Sequence, residues 1–149
     1  MAKSVIDEHT LNEVLERLNK LSPDTQRQWG KMNVSQMLVH LSCTLKTGLG
    51  ELKAKNVYVP LISPLMKRYL MRGGRFMKGA TPTMGEFLIK EQYDFATSRN
   101  EFIDILNRFV AEGRKEQLKR HPFFGKMDAE AWGKTSYGHI DHHLRQFGV

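Results

Sequence analysis

Three histidines fall within five residues near the end of the chain, at positions 139, 142 and 143, and another lies at position 40. Histidines four residues apart project from the same side of an α-helix, so His139 and His143 can direct both imidazoles at one ion. A third ligand from a neighbouring helix, His40, would leave a coordination position open, as in catalytic metal sites. Imidazole suits zinc, nickel, copper and iron better than magnesium or calcium. Spacing alone is equally compatible with unrelated histidines at the edge of a hydrophobic core.

The angular positions on the last helix separate candidate ligands from other histidines. With Ile140 at the centre of the buried stripe and about 100° per residue, His143 lies about 60° away, His139 about 100° away and His142 about 160° away. His142 is therefore predicted to face solvent. By the same count His40 lies about 100° from the centre of its own stripe, where the core meets a cleft.

The remaining candidates have weaker claims to chemistry. His9 is predicted to be exposed in the first turn of the first helix. His121 precedes Pro122 in a His-Pro-Phe-Phe-Gly segment, which we predict to anchor the start of the last helix, with a cover over the cleft as the alternative. Cys43 points about 160° away from its buried stripe, so neither a nucleophilic nor a ligand role is expected. A single cysteine and an N-terminus without a secretory signal favour a cytoplasmic location.

Four long segments carry apolar residues at helical spacing. The first ends where Pro23 cannot continue a helix. Each of the other three begins at a residue that can cap a helix. The predicted starts are Asn33 with Gln36 at the capping-box position, Ser98 with Glu101, and Asp128.

A long insertion, residues 56–95, separates the second helix from the third. Ser63-Pro64 predicts the start of a short helix that ends before Gly73-Gly74. The following stretch to Glu91 contains Pro82 and is interpreted as a loop that packs back on the body through the apolar residues 87–89. A connection of this length allows the second and third helices to lie parallel. The predicted class is all-α, built on four helices.

Size and composition fit one compact domain over residues 1–149, at 17.2 kDa and 40% apolar residues. No apolar run approaches the roughly 20 residues of a membrane-spanning helix, so no membrane partner is expected. The net charge of +7 raises the possibility of nucleic-acid binding. The basic residues follow no standard nucleic-acid motif, which favours a solvated surface, with an anion-binding patch as the alternative. They are Lys67, Arg68, Arg72, Arg75 and Lys78 in one segment and Arg114, Lys115, Lys119 and Arg120 in another.

Two phrases of the sequence resemble the DinB/YfiT-like superfamily of metalloenzymes, and specifically a branch of it to which no reaction is assigned. They are residues 29–40, WGKMNVSQMLVH, and residues 139–146, HIDHHLRQ, and the similarity covers nearly the whole chain. The resemblance implies a four-helix bundle with up-down-down-up topology, in which the long connection joins two parallel central helices. It also implies a divalent metal, with Zn or Ni preferred, held by His40, His139 and His143. Relatives include metal-dependent transferases of low-molecular-weight thiols, and many are homodimers.

The leading functional hypothesis is a metal-dependent enzyme. A thiol or water in the open coordination position would lose its proton more readily and become a nucleophile at neutral pH. The expected chemistry is thiol S-transfer or a hydrolase-like reaction on a small molecule. Basic residues of the insertion would attract the carboxylates of an acidic thiol such as bacillithiol or glutathione. These are Arg68, Arg72 and Arg75.

The alternative is a non-catalytic module that binds a small ligand or a partner, for example in a stress response. Its histidines would be satisfied by hydrogen bonds alone. Exposed apolar residues of the insertion would then form an interface. The candidates are Leu65, Met66, Tyr69 and Phe76.

Overall fold

The computed structural model describes residues 2–79 and 85–149. Within these residues the chain is all-helical, with five α-helices, one turn of 3-10 helix at Gly85–Phe87 and no β-strand. None of the helices in this part of the chain is long and apolar enough to cross a membrane. The helices are α1 (Glu8–Asn19), α2 (Val34–Leu49), α3 (Ile62–Met71), α4 (Phe95–Arg114) and α5 (Ala129–Gln146).

The starts of α2 and α5 follow the capping chemistry predicted for them. Asn33 accepts the backbone N–H of Gln36, and the Gln36 side chain accepts the backbone N–H of Asn33, which completes a capping box. Asp128 accepts the backbone N–H of Ala131 at 2.8 Å and begins α5. Side-chain acceptors satisfy N–H groups that the first helical turn leaves without partners.

The predicted start of α4 at Ser98 is wrong by one turn. Asp94 is the N-cap, because its carboxylate accepts the backbone N–H of Thr97 at 2.8 Å, and the helix begins at Phe95. Ser98 lies inside the helix and its hydroxyl donates to the Asp94 carbonyl. Both positions have good capping residues, and the earlier one is used.

The short helix of the insertion exists, but it begins slightly before the predicted Ser63-Pro64. Its first residue is Ile62, and Leu61 precedes it with a positive φ of 67°. The Ser63 hydroxyl accepts the backbone N–H of Val59 at 2.9 Å and so closes the turn before the helix. The predicted loop after this helix is described only in part, and Pro82 lies outside the described residues.

Helix α2 packs against α4 and α5, and α5 also packs against α1 and α3. Ion pairs join Lys46 to Glu101 and Glu51 to Arg108, so positions on α2 and α4 advance together and the two helices run in the same direction. Helices α1 and α5 are also parallel, because their contacts advance together along both helices. Their matched contacts are Glu13 with Tyr137 and Arg17 with Asp141. The largest fully buried side chains between the helices include Leu38, Leu41, Phe102, Phe109 and Ile140.

Candidate metal centre

His40 on α2 and His139 and His143 on α5 meet at one point. The Nε2 atom of His139 lies 3.1 Å from Nε2 of His40 and 3.2 Å from Nε2 of His143. All three candidate ligand atoms lie within 4.8 Å of one another. Over residues 2–79 and 85–149, this is the one group of three or more His, Cys, Asp or Glu side chains with such geometry. The three histidines are therefore close enough to hold a metal ion.

Local helix geometry explains why these side chains converge. His139 and His143 are one turn apart on α5, as the sequence spacing requires. Helix α2 runs antiparallel to α5, with His40 beside both histidines and Gly48 beside Trp132. A side chain at Gly48 would collide with the neighbouring aromatic rings, so glycine at this position permits the close approach of the helices.

Hydrogen bonds on the far side of two rings determine which nitrogen carries a proton. His40 Nδ1 lies 2.9 Å from the carbonyl oxygen of Phe87, which can only accept, so Nδ1 is protonated. His143 Nδ1 lies 2.7 Å from Oε1 of Gln146, whose amide nitrogen donates to the Trp29 carbonyl at 2.8 Å. That second bond orients the amide, so Nδ1 of His143 also donates. Metal-ligating histidines characteristically donate their other ring N–H in this way.

With these tautomers, the three Nε2 atoms that face one another carry too few protons to form hydrogen bonds in both of their close contacts. Neutral His40 and His143 present bare lone pairs at Nε2, and His139 has at most one Nε2 proton to share between them. One proton cannot make a linear hydrogen bond in both contacts. A cation at the centre would satisfy all three lone pairs. Nitrogen ligands about 2.0–2.1 Å from a tetrahedral zinc ion are separated by about 3.3 Å. Two of the three pairs here are close to this separation, at 3.1 and 3.2 Å, and all three ligand atoms lie within 4.8 Å of one another.

Burial keeps the three imidazoles neutral at physiological pH. It is the main cause that lowers the pKa of His40 and that holds the pKa of His139 well below its ordinary value. Burial also lowers the pKa of His143 to about 3, with a further decrease from the neighbouring His40. A neutral imidazole is the form that binds a metal, so the protein environment favours ligation without the need to expel a proton.

The prediction that His142 faces solvent is wrong. Its ring is half-buried, with the Trp29 ring centroid at 5.7 Å and the Phe76 ring centroid at 6.0 Å. Phe76 also lies 5.5 Å from His139, so it is a cover over the histidines and not the exposed residue predicted from the sequence. Both aromatic residues come from segments far from α5 in the chain. Helical periodicity therefore could not reveal them.

Two other residues near these elements do not belong to the histidine group. Cys43 is half-buried and lies outside the histidine group, and burial raises the pKa of its thiol. Asp141 is on α5 between the candidate ligands, and it pairs with Arg17 at 2.8 Å and Arg145 at 2.9 Å. The first of these ion pairs ties α1 to α5 beside the site. His9 is exposed in the first turn of α1, as predicted.

His121 is an anchor for the loop that leads into α5. Its Nδ1 accepts the backbone N–H groups of Phe123 and Phe124, both at 3.0 Å. Its ring packs against Phe124 at 4.6 Å and against Trp132 at 5.0 Å between centroids. These contacts favour the anchoring role over the alternative of a cover above the cleft.

Burial lowers the pKa of His121 to about 4, which predicts a contribution to acid sensitivity. The unfolded chain takes up this proton near the ordinary pKa of about 6.5, before the folded chain does, so folding stability falls as pH drops from 6.5 towards 4. We expect this residue to account for a loss of about 2 kcal/mol between about pH 7 and pH 5. The substitution His121→Asn keeps a hydrogen-bond acceptor at this position but removes the titratable imidazole.

Urea unfolding of the wild type and His121→Asn across this pH range measures the effect. The difference in unfolding free energy between the two proteins should change with pH by that amount, in favour of the variant at low pH. Parallel stability curves for the two proteins would show that His121 protonates equally easily in both states.

Sequence reasoning missed the groups that orient the candidate ligands. Gln146 lies three residues after His143 on the same helix, which is a recognisable spacing for a hydrogen bond. Gly30 has a positive φ of 84°, and a Cβ there would lie 2.4 Å from the Gln146 amide nitrogen. The Phe87 carbonyl belongs to the backbone, so no residue type could signal it.

Comparison with known protein families identifies the family of this chain. A family model described as "Protein of unknown function (DUF1569)" matches residues 1–148. The chain belongs to this family. The part matched to DUF1569 includes all three convergent histidines and Gln146. Comparisons with curated proteins and with solved structures find no match.

Proposed function

We propose that the chain binds one divalent transition metal ion, Zn²⁺ or Ni²⁺, through Nε2 of His40, His139 and His143 and uses it in catalysis. The observation that carries the proposal is the convergence of three neutral imidazoles, two buried and one half-buried, with the Nδ1 protons of His40 and His143 engaged elsewhere. When bound, an ion with three imidazole ligands supplies a coordination position in which a thiol or water loses its proton near neutral pH.

The surrounding residues would hold the ligands and limit access to them. The Phe87 carbonyl and the Gln146 amide fix two ring orientations, so little rearrangement is needed for binding. Phe76 and Trp29 cover the histidine side of α5 with apolar rings. Because such a shell excludes bulk water, it strengthens the electrostatic interactions within the site.

The proposed architecture is a DinB-like four-helix bundle with up-down-down-up topology, as a single domain over residues 1–149. Its four helices are α1, α2, α4 and α5, and the insertion contains α3. The parallel pairs α2 with α4 and α1 with α5, together with the antiparallel approach of α2 to α5, support this topology. Helices in such bundles form metal sites from side chains that face each other across the core.

The proposed reaction is the transfer of a low-molecular-weight thiol, or hydrolysis of a small molecule. Support for an acidic cosubstrate comes from cations beside the aromatic cover. Arg75 directly precedes Phe76, and the Lys78 ammonium lies 4.3 Å from the centroid of the Trp29 ring. A homodimer and a cytoplasmic location are part of the same proposal and rest on the sequence resemblance.

Metal analysis of the purified protein tests the binding part of this proposal. Wild type prepared without chelator should contain about one divalent metal per chain, because three neutral nitrogens form a site with high affinity for zinc. The variant His40→Ala with His143→Ala should contain none. His9→Ala removes an exposed histidine and should match the wild type. Equal, negligible metal in wild type and double variant would contradict the proposal.

Turnover distinguishes the enzyme from the alternative binding module. We expect metal-loaded wild type to consume a thiol in the presence of an electrophile faster than the same concentration of free metal. The double variant should show only the free-metal rate. Ligand binding without any rate above free metal would instead favour the non-catalytic module.

A further inference from the structure

The excess positive charge of the chain comes from one segment. Residues 52–85 contain no Asp or Glu, and the other sixteen Lys and Arg of the chain equal its sixteen Asp and Glu. The net charge of +7 is therefore the charge of this segment alone. Its basic residues are Lys53, Lys55, Lys67, Arg68, Arg72, Arg75 and Lys78.

None of these seven cations makes an ion pair with a carboxylate in the part of the chain that the structure describes. The ion pairs there involve other Lys and Arg residues, such as Lys46 and Arg108. Six of the seven residues are exposed, and the seventh, Lys67, donates to the Lys126 carbonyl at 3.2 Å. Within the described residues, only Lys55 among these cations has a nearby carboxylate, that of Glu86, so the segment is a positive surface with little neutralisation.

The same segment carries most of the exposed large hydrophobic residues of the described chain. Of the nine exposed large hydrophobic residues within residues 2–79 and 85–149, seven lie between positions 59 and 77. Leu61, Leu65 and Ile62 expose 86%, 67% and 55% of their surface. The other four are Val59, Met66, Tyr69 and Met77. A concentration of large exposed apolar residues in one segment indicates an interaction site.

Helical geometry places four of these seven residues on one outward face of α3. Ile62, Leu65, Met66 and Tyr69 lie within about 100° of arc, whereas Ser63 and Leu70 occupy the side that is buried against the body. Arg68 and Arg72 project beside the apolar face, on one of its flanks. An exposed helix with an apolar face and adjacent basic residues is typical of a helix that lies in the interface of an anionic membrane.

We infer that α3 and its flanking residues, positions 52–79, dock on the surface of an anionic lipid bilayer. The apolar face of α3 enters the boundary between head groups and acyl chains, and the basic residues contact the lipid phosphates. The contact is peripheral, since none of the described helices can cross a bilayer, and it revises the sequence-based expectation of no membrane partner. This inference does not depend on the proposed metal site.

Charge and apolar surface together favour a bilayer over other partners. A nucleic acid would neutralise the cations but leave Leu61, Ile62 and Leu65 in water. A second copy of the chain would cover the apolar face but bring two sets of unneutralised cations together. An anionic bilayer satisfies both features at once, because it offers negative charge at its surface and hydrocarbon directly beneath.

Vesicle sedimentation tests the inference with the full-length chain. We expect it to sediment with vesicles of phosphatidylcholine and phosphatidylglycerol in equal parts, and much less with phosphatidylcholine alone. Added salt should weaken the binding, because exposed charges are screened. The variant Arg68→Gln with Arg72→Gln should bind roughly 30-fold more weakly, as each basic residue contributes roughly fivefold near such a surface.

Matched variants separate the two components of the contact. Ile62→Gln with Leu65→Gln should weaken vesicle binding by at least about tenfold, because the apolar side chains no longer enter the bilayer. Leu88→Gln changes an exposed residue outside the segment and should bind like the wild type. Lys20→Gln with Lys31→Gln removes the same charge from exposed positions elsewhere, and should have a much smaller effect than the arginine pair.

Three results would overturn the inference. The first is equal binding, or none, to vesicles with and without phosphatidylglycerol. The second is vesicle binding that is lost equally in the arginine pair and in the Lys20 and Lys31 pair, since net charge alone would then explain it. The third is a dimer in light scattering that Ile62→Gln with Leu65→Gln dissociates while the wild type ignores vesicles, since the apolar face would then belong to a second copy.

Discussion

Zn²⁺ at a thousandfold excess over its dissociation constant is expected to raise the melting temperature of the wild-type chain by about 10 °C. The ion binds the folded state, so it stabilises that state by about 4 kcal/mol under these conditions. The variant His40→Ala with His143→Ala should show no such increase, because a single remaining imidazole cannot hold the ion in competition with water. Differential scanning calorimetry with and without added Zn²⁺ measures both values.

Two controls establish the origin of this effect. His9→Ala removes an exposed histidine from α1 and should retain the full response to Zn²⁺. Mg²⁺ should leave the wild type unchanged, because it prefers oxygen ligands. A Zn²⁺ response of the same size in the double variant would show that the ion binds elsewhere on the chain.

Replacement of Gln146 by leucine should weaken Zn²⁺ binding by between about tenfold and about a hundredfold. The Gln146 amide accepts the Nδ1 proton of His143 and donates to the Trp29 carbonyl, so it holds the ring with Nε2 directed at the centre. Without it, the His143 ring gains freedom and its ligand nitrogen loses basicity. Competition with a chromophoric chelator gives the dissociation constant directly.

Gln36→Leu is a matched control for this substitution. Gln36 is also a buried glutamine whose side chain makes two hydrogen bonds, one to the Asn33 backbone and one to the Glu91 carbonyl, and neither involves the three histidines. It should lower the folding stability and leave the dissociation constant for Zn²⁺ unchanged. If both variants lose stability and neither changes that constant, Gln146 has a structural role only.

The sequence contained enough local information to identify the helices, but less to fix their ends. Asn33 with Gln36 and Asp128 are caps whose partners lie three residues away, and both were predicted correctly. Ser98 was also a reasonable cap by residue type. Asp94 is the cap instead, one turn earlier, where its carboxylate accepts a backbone N–H of the first turn. A choice between two competent caps depends on packing as well as residue type.

Part of the candidate site could also be predicted from the sequence, and part of it could not. His139 and His143 were paired by helical spacing, and their approach to His40 required only that α2 and α5 be neighbours. The burial of His142 could not be predicted from helical spacing, because Trp29 and Phe76, which pack against its ring, are far away in the sequence. The Phe87 carbonyl was equally hidden, since every residue has a carbonyl and only tertiary structure selects one.

X-ray absorption at the zinc edge of the Zn²⁺-loaded protein reports the atoms around the ion and so distinguishes the three-histidine site from any other mode of binding. We expect three imidazole nitrogens at about 2.0–2.1 Å together with one further light atom. The imidazole signature should be lost in the variant His40→Ala with His143→Ala. A shell of oxygen alone, or sulfur at about 2.3 Å, would contradict the three-histidine site.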